Sequence, residues 1–155
     1  MVVKVQVQAE DFDSGLLQEE LLNGRHEAGA FASFVGLVRS TGDDPVATLE
    51  LEHYPGMTER SIERIVAAAG QRWQVLGATV IHRVGLLRPG EQIVYVGVAS
   101  GHRGDAFQAC EFIMDFLKTE APFWKKESGA AGSRWVDARS SDSNAKQRWL
   151  AQSPK

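Results

Sequence analysis

Cysteine is almost missing from this chain: Cys110 stands alone. One thiol builds neither an intramolecular disulfide nor a thiolate metal cluster, so a reducing compartment is expected. Long apolar runs are missing as well. Nothing approaches the roughly 20 residues that span a bilayer. The opening MVVKVQVQAEDF alternates apolar with polar residues instead of forming a signal peptide's apolar block. The expected location is the cytoplasm, away from any membrane. Positive charge is also scarce. With 17 Lys and Arg against 20 Asp and Glu, the formal net charge is −3. That excludes the broad basic footprint by which proteins displace counterions from nucleic acid. Any anion site must therefore be local. His26, His53, His82 and His102 show no ligand spacing with Cys, Asp or Glu, so neither a metal nor another cofactor is expected. The glycines of GLVRSTG and GHRG fit neither a P-loop nor a dinucleotide fingerprint.

The remainder is globular in character. The 155 residues are 43% hydrophobic and 24% charged, which suits one domain over 1–155 with a sizeable core. The tail after about residue 150 is expected to be flexible. Val3, Val5 and Val7 alternate with polar residues as in a half-buried strand. Asp13 or Ser14 caps a short helix through Leu16, Leu17, Leu21 and Leu22, which closes at Asn23-Gly24. Further strands are predicted at 30–38, around Leu49, Leu51 and His53, at 78–84, at 92–99 and through Arg134-Trp135-Val136. Ile62, Ile65, Val66, Ala69 and Trp73 have helical spacing over 58–73. Phe107, Cys110, Met114 and Leu117 mark a second long helix that starts just after Gly104 and ends near Glu120, before Pro122. A polar helix near 142–150 ends the pattern. Strands joined by turns as well as by helices indicate an α+β fold with a mostly antiparallel sheet and two long helices.

Three stretches carry chemistry. The first is DFLKTEAPFWKKES, residues 115–128. Lys118 alone reads as a cation favoured by a helix C-terminus, and Lys125 and Lys126 alone read as surface residues. The insert Ala121-Pro122-Phe123-Trp124 changes that reading, because Pro122 fixes the backbone and two large aromatics anchor it. If 122–127 is extended, Phe123 and Lys125 share one face, and Trp124 and Lys126 the other. A reversal at Pro122 then brings Lys125 back towards Lys118. Two ammonium groups in one partly dry pocket lower each other's proton affinity, a known route to an activated lysine. The second stretch is ASGHRGDAF, residues 99–107, where His102 and Arg103 sit at a strand-to-helix junction suited to an anion. The plain alternative is a helix capped by Ser100 or Asp105 with His102 in a turn. The third is GLVRSTG, residues 36–42, which ends a strand at Arg39. Cys110, on the helix's apolar stripe, reads as packing, and EHYPGMTE (52–59) as a structural corner.

Taken in order, LEHYPGMTE, VIHRVGLLRPGE, VGVASGHRGDAF, FIMDFLKTEAPFWKKE and RWVDAR resemble the large, catalytic subunit of molybdopterin synthase, from about Phe31 to Trp149. The resemblance implies an α/β-hammerhead fold. It also implies a sulfurtransferase of molybdenum cofactor biosynthesis, which converts cyclic pyranopterin monophosphate (precursor Z) to molybdopterin by adding two sulfurs. The sulfur would come from a small ubiquitin-like carrier whose C-terminal Gly-Gly ends in a thiocarboxylate. Two large subunits would form the centre of a heterotetramer. By motif, Lys118 and Lys125 match the catalytic lysines, and Arg39, His102 and Arg103 match pterin- and phosphate-binding positions. Arg139 matches a pocket arginine supplied by the neighbouring large subunit. Leu37 stands where many relatives carry a basic residue, so it and Val38 are expected to offer backbone contacts. Lys126 and Glu127 are expected as pocket wall. Two rival readings use the same residues: a lysine Schiff-base lyase or aldolase on a phosphorylated small molecule, and a non-catalytic module binding an anionic tail.

Overall fold

The computed structural model of the protein describes residues 1–43, 45–129, 132–136 and 140–151. Its elements run β1 (Val2–Gln8), α1 (Ser14–Leu22), β2 (Ala30–Leu37), β3 (Thr48–His53), α2 (Met57–Arg72), β4 (Gly77–Arg83), β5 (Gly85–Leu87), β6 (Gln92–Ser100), α3 (Arg103–Glu120), β7 (Phe123–Gly129), β8 (Gly132–Val136) and α4 (Ser140–Leu150). The strands divide into two sheets, ordered β1-β4-β6-β2 and β5-β3-β7-β8. Among the described residues only β1 and β4 pair in parallel; the remaining ladders are antiparallel. The α+β expectation holds. The division into two sheets was not legible, because β5 is three residues long and leaves no period to count.

The first sheet is the scaffold. GATVIHR and QIVYVGVAS supply β4 and β6 with β-branched residues, and every residue of β4 is buried. Ala78, Val80, Val94, Val96 and Val98 join one core with Ile62, Val66 and Ala69 of α2 and with Ala109, Ile113 and Leu117 of α3. Ile81 and Tyr95, one position out of phase, face the other side. There Phe12 tilts against Tyr95 with ring centroids 5.8 Å apart, and Leu21 of α1 closes over Gly77. Leu49, Leu51 and Leu87 of the second sheet belong to the same core as the helices, so the two sheets meet along an apolar seam.

The caps agree with the sequence in part. Asp13 accepts the Leu16 N–H at 3.1 Å and starts α1. Ser100 does not cap α3: its hydroxyl donates to the Gln74 carbonyl at 2.6 Å. His102 becomes the N-cap without a side-chain bond to the helix. Cys110 packs as expected; burial pushes its thiol up to about 11, with Glu111 adding to the shift. Phe107, however, is 66% exposed. The buried stripe of α3 runs through Ala106, Ala109, Cys110, Ile113 and Leu117, which puts position 107 about 100° off the inward face. At the chain's end, Trp149 holds α4 to α3: its Nε1 donates to Asp115 Oδ2 at 2.5 Å, and its ring meets Trp73 and Phe112 edge-on.

Candidate active site

A cavity of about 960 Å³ opens at the seam between the sheets, and Arg39, Lys118, Lys125 and Glu127 line it together with His82 and Phe34. The two lysines reach it from different elements. Lys118 lies in the last turn of α3. The helix stops because Ala121 goes extended, at φ −79° and ψ 132°, ahead of Pro122. The chain turns back at once as β7. Alternation along β7 then turns Phe123, Lys125 and Glu127 into the cavity and leaves Trp124 48% exposed on the far side. Lys126 follows Trp124. Its cross-strand partner is Trp135, and its Nζ lies 6.0 Å from that ring's centroid. Expected as pocket wall, Lys126 does not line the cavity, because period two places it on the opposite face of the sheet.

The hinge between the lysines is held from a distant part of the chain. Thr58, at 0% exposure, donates its hydroxyl to the Pro122 carbonyl at 3.1 Å and accepts the Tyr54 N–H at 3.0 Å. The two bonds, both partly shielded from water, tie the hinge to the start of α2. The corner that presents Thr58 needs Gly56, whose φ is +85°. Glu59 accepts the Gly56 N–H at 3.2 Å and fixes the start of α2. The EHYPGMTE corner is thus structural, as expected, and it braces the loop between Lys118 and Lys125.

Arg39 arrives by another device. The β2–β6 register shifts between Gly36 and Leu37, a bulge of the kind that re-aims side chains beside sites. Beyond it the Val38 N–H donates to the Glu91 carbonyl at 2.9 Å, and the Gly90 N–H donates to the Val38 carbonyl at 2.8 Å. The segment 36–40 therefore runs along the cavity wall with Leu37, Val38 and Arg39 all contributing. Leu37 is 58% exposed, an apolar side chain at a cavity mouth.

His82 comes from the scaffold sheet. It is in phase with Ala78 and Val80 on β4, so it faces the helices and the seam. Its ring stacks on Phe123 at 3.9 Å and 21°, and Nδ1 lies 2.9 Å from the Arg83 carbonyl oxygen. That oxygen can only accept, so Nδ1 carries the proton. Burial pushes the imidazole down to about 3, and the nearby charges of Lys125, Lys118 and His53 push it the same way against the bond to Arg83.

His102 and Arg103 do not join this group. They occupy the start of α3, while Lys118 is in its last turn. At 1.5 Å per residue, 15 residues separate Arg103 from Lys118 by roughly 22 Å. Both are exposed, and neither lines the cavity. Arg139 lies outside the described residues.

Comparison with known proteins decides the family. The family model described as "MoaE protein" matches residues 7–120. The chain belongs to that family. It is 60% identical over 146 residues to the molybdopterin synthase catalytic subunit of Ralstonia nicotianae, an overlap of 94% of this chain and 83% of that protein. The solved MoaE protein of Burkholderia ambifaria shares 51% identity and superposes with a TM-score of 0.83, covering 98% of this chain and 100% of that one. The molybdopterin synthase structure from Staphylococcus aureus, 29% identical, reaches a TM-score of 0.78 over 84% of this chain and 95% of its own.

Within the MoaE fold, two participants escaped sequence reading. His82 lacks metal-ligand spacing, yet counting by twos from Ala78 puts it on the seam face. Thr58 acts across 64 residues of sequence, and no local pattern announces such a bond. Phe34 and Met114, also on the cavity wall, were legible only as strand and helix packing.

Proposed function

We propose that this MoaE protein is the catalytic subunit of molybdopterin synthase. In that role it accepts sulfur from the thiocarboxylated tail of a small carrier and installs it on a cyclic pyranopterin monophosphate. The observation that carries the reading is the convergence of Lys118 and Lys125 on one cavity from either side of the Pro122 hinge. Both reactants are anions, and bringing them together out of water requires fixed positive charge. Arg39 adds a fork-shaped donor on the same wall. The open mouth beside Leu37 admits an extended tail. One lysine, as the cation, would stabilise charge developing at the carrier's terminal carbonyl. The other would exchange protons with the pterin as sulfur replaces oxygen.

His102 and Arg103 enter this scheme through assembly. They sit roughly 22 Å from Lys118 along one helix, so they would serve the cavity of a second copy, as the resemblance implies for Arg139. The α3 N-terminus there carries no side-chain cap, which leaves N–H groups to assist a phosphate. The working unit is then a dimer of this chain with one carrier per cavity, located in the cytoplasm. The rivals make different demands. A Schiff-base lyase would turn over without any carrier and would be trapped by borohydride in its absence. A docking module would lose affinity but not saturated turnover when Lys118 is removed. The deciding assay mixes the purified protein, thiocarboxylated carrier and the cyclic pterin, and reads the oxidised fluorescent derivative of molybdopterin. Product that depends on all three is expected. No product with intact reactants overturns the reading.

A further inference from the structure

The cavity wall is not uniformly cationic. Between the lysines and the scaffold lies one neutral side chain, His82, whose hydrogen-bonding direction is already decided. Nδ1 is committed as donor to the Arg83 carbonyl at 2.9 Å, so Nε2 holds a lone pair and can only accept. Among the described residues no side chain or backbone group donates to it. Turning the ring would break that bond and disturb the stack on Phe123 at 3.9 Å. Burial and the charges of Lys125 and Lys118 oppose its protonation, so it does not become a second kind of cation in ordinary buffers.

A fixed acceptor on the wall of a cation-lined cavity sorts the parts of a ligand. Phosphate and thiocarboxylate oxygens or sulfur carry no proton at neutral pH and meet a lone pair there, which repels them. A nitrogen heterocycle with ring N–H groups meets its complement. We infer that His82 orients the pterin by accepting a hydrogen bond from a ring N–H at Nε2, which leaves the ligand's anionic end to Arg39 and the lysines. This rests on the molybdopterin synthase reading and adds a substrate-orienting residue to it. Phe123 stacks on the imidazole, so the Pro122 hinge sets this acceptor as well as Lys125.

The test uses the full chain with its carrier and compares wild type with His82→Phe and His82→Gln. Phe keeps an aromatic ring against Phe123 but offers no acceptor; Gln places an amide oxygen near the position of Nε2. For His82→Phe the KM for the pterin should rise roughly tenfold, the order expected when a ligand donor loses its partner. The KM for the carrier should stay within twofold, and His82→Gln should recover most of the loss. Calorimetric titration of the cyclic pterin alone should give the same ranking of Kd. Unchanged pterin KM and Kd in His82→Phe overturn the inference. So does equal impairment of both variants with a matching loss of thermal stability and carrier affinity, which would make His82 a packing residue. If wild type binds the pterin with this ranking yet forms no product, the proposed function falls and the orienting role stands. If wild type does not bind the pterin, both fall.

Discussion

All seven residues of β4 are buried; none of the seven in β7 is, although both strands contribute to the cavity wall. The first sheet is covered on both faces and is built from Val, Ile and Ala packed against α2 and α3. Beside apolar wall residues such as Phe34, Leu37 and Val94, its polar contribution to the site is His82, a neutral group. The second sheet is covered on one face. Its inward positions carry Lys125 and Glu127, and its outward positions leave Trp124 and Trp135 about half exposed. The difference teaches where charge can be kept. The one cation buried on β4, Arg83, donates to the Ala9 and Gln92 carbonyls; an ammonium there without such partners would be desolvated on every side, at a cost of several kcal/mol. At the seam it keeps one side open to solvent or ligand. The rigid sheet supplies geometry, and the half-covered sheet supplies charge.

If that division of labour is right, the largest effect should come from the charged seam and not from the scaffold. Lys118→Ala is expected to cut turnover by roughly 10²–10³-fold, the range for removing one preorganised charge-stabilising donor. Thermal stability should stay near wild type, because the side chain is exposed in the last turn of α3. Steady-state kinetics at saturating carrier and pterin, alongside a melting curve, check both halves. Retained turnover with weakened carrier binding would move this residue from chemistry to docking and break the contrast between the sheets.

A middle-sized effect should come from the brace that ties the seam together. Thr58→Val keeps the shape but removes both bonds, to Pro122 and from Tyr54. Losing the two partly shielded bonds should cost about 1 kcal/mol in denaturant unfolding. Turnover should fall more than affinity for either reactant, since the hinge sets the spacing of Lys118 and Lys125. Thr58→Ser, which retains the hydroxyl, should restore most of both. If Thr58→Val alters stability alone, the hinge holds its shape without the brace.

How much of this was legible follows the same division. Periodicity located the scaffold: the alternating Val, Ile and Ala of 78–84 and 92–99 became β4 and β6, and the stripe from Ile62 to Trp73 became α2. Those segments are long, and burial enforces their pattern. The lysine hinge was legible because proline and two aromatics are strong local signals. Assembly across elements was not. Alternation along 122–127 predicts Lys125 on the cavity face; the motif alone places Lys126 in the pocket, and the strand's own period contradicts that. The His102–Arg103 junction was expected to meet the lysines, but α3 lies between them as a rigid spacer. Only three-dimensional placement shows that the two groups lie at opposite ends of α3 within one chain.

The smallest expected effect is also the sharpest test of the alternation. Lys126 differs from Lys125 by one residue, and in sequence the two are interchangeable cations. On the folded strand Lys126 lies beside Trp135 and across from Glu50 on the outward face, where a partly exposed charge contributes little. Lys126→Ala should therefore leave stability within about 0.5 kcal/mol and turnover within about twofold, while Lys125→Ala approaches the loss seen for Lys118→Ala. The pair of variants, measured side by side in the product assay, isolates the face of the strand from the charge it carries. Equal losses would mean that both cations act at long range, and the cavity-facing position of Lys125 would then hold no special role.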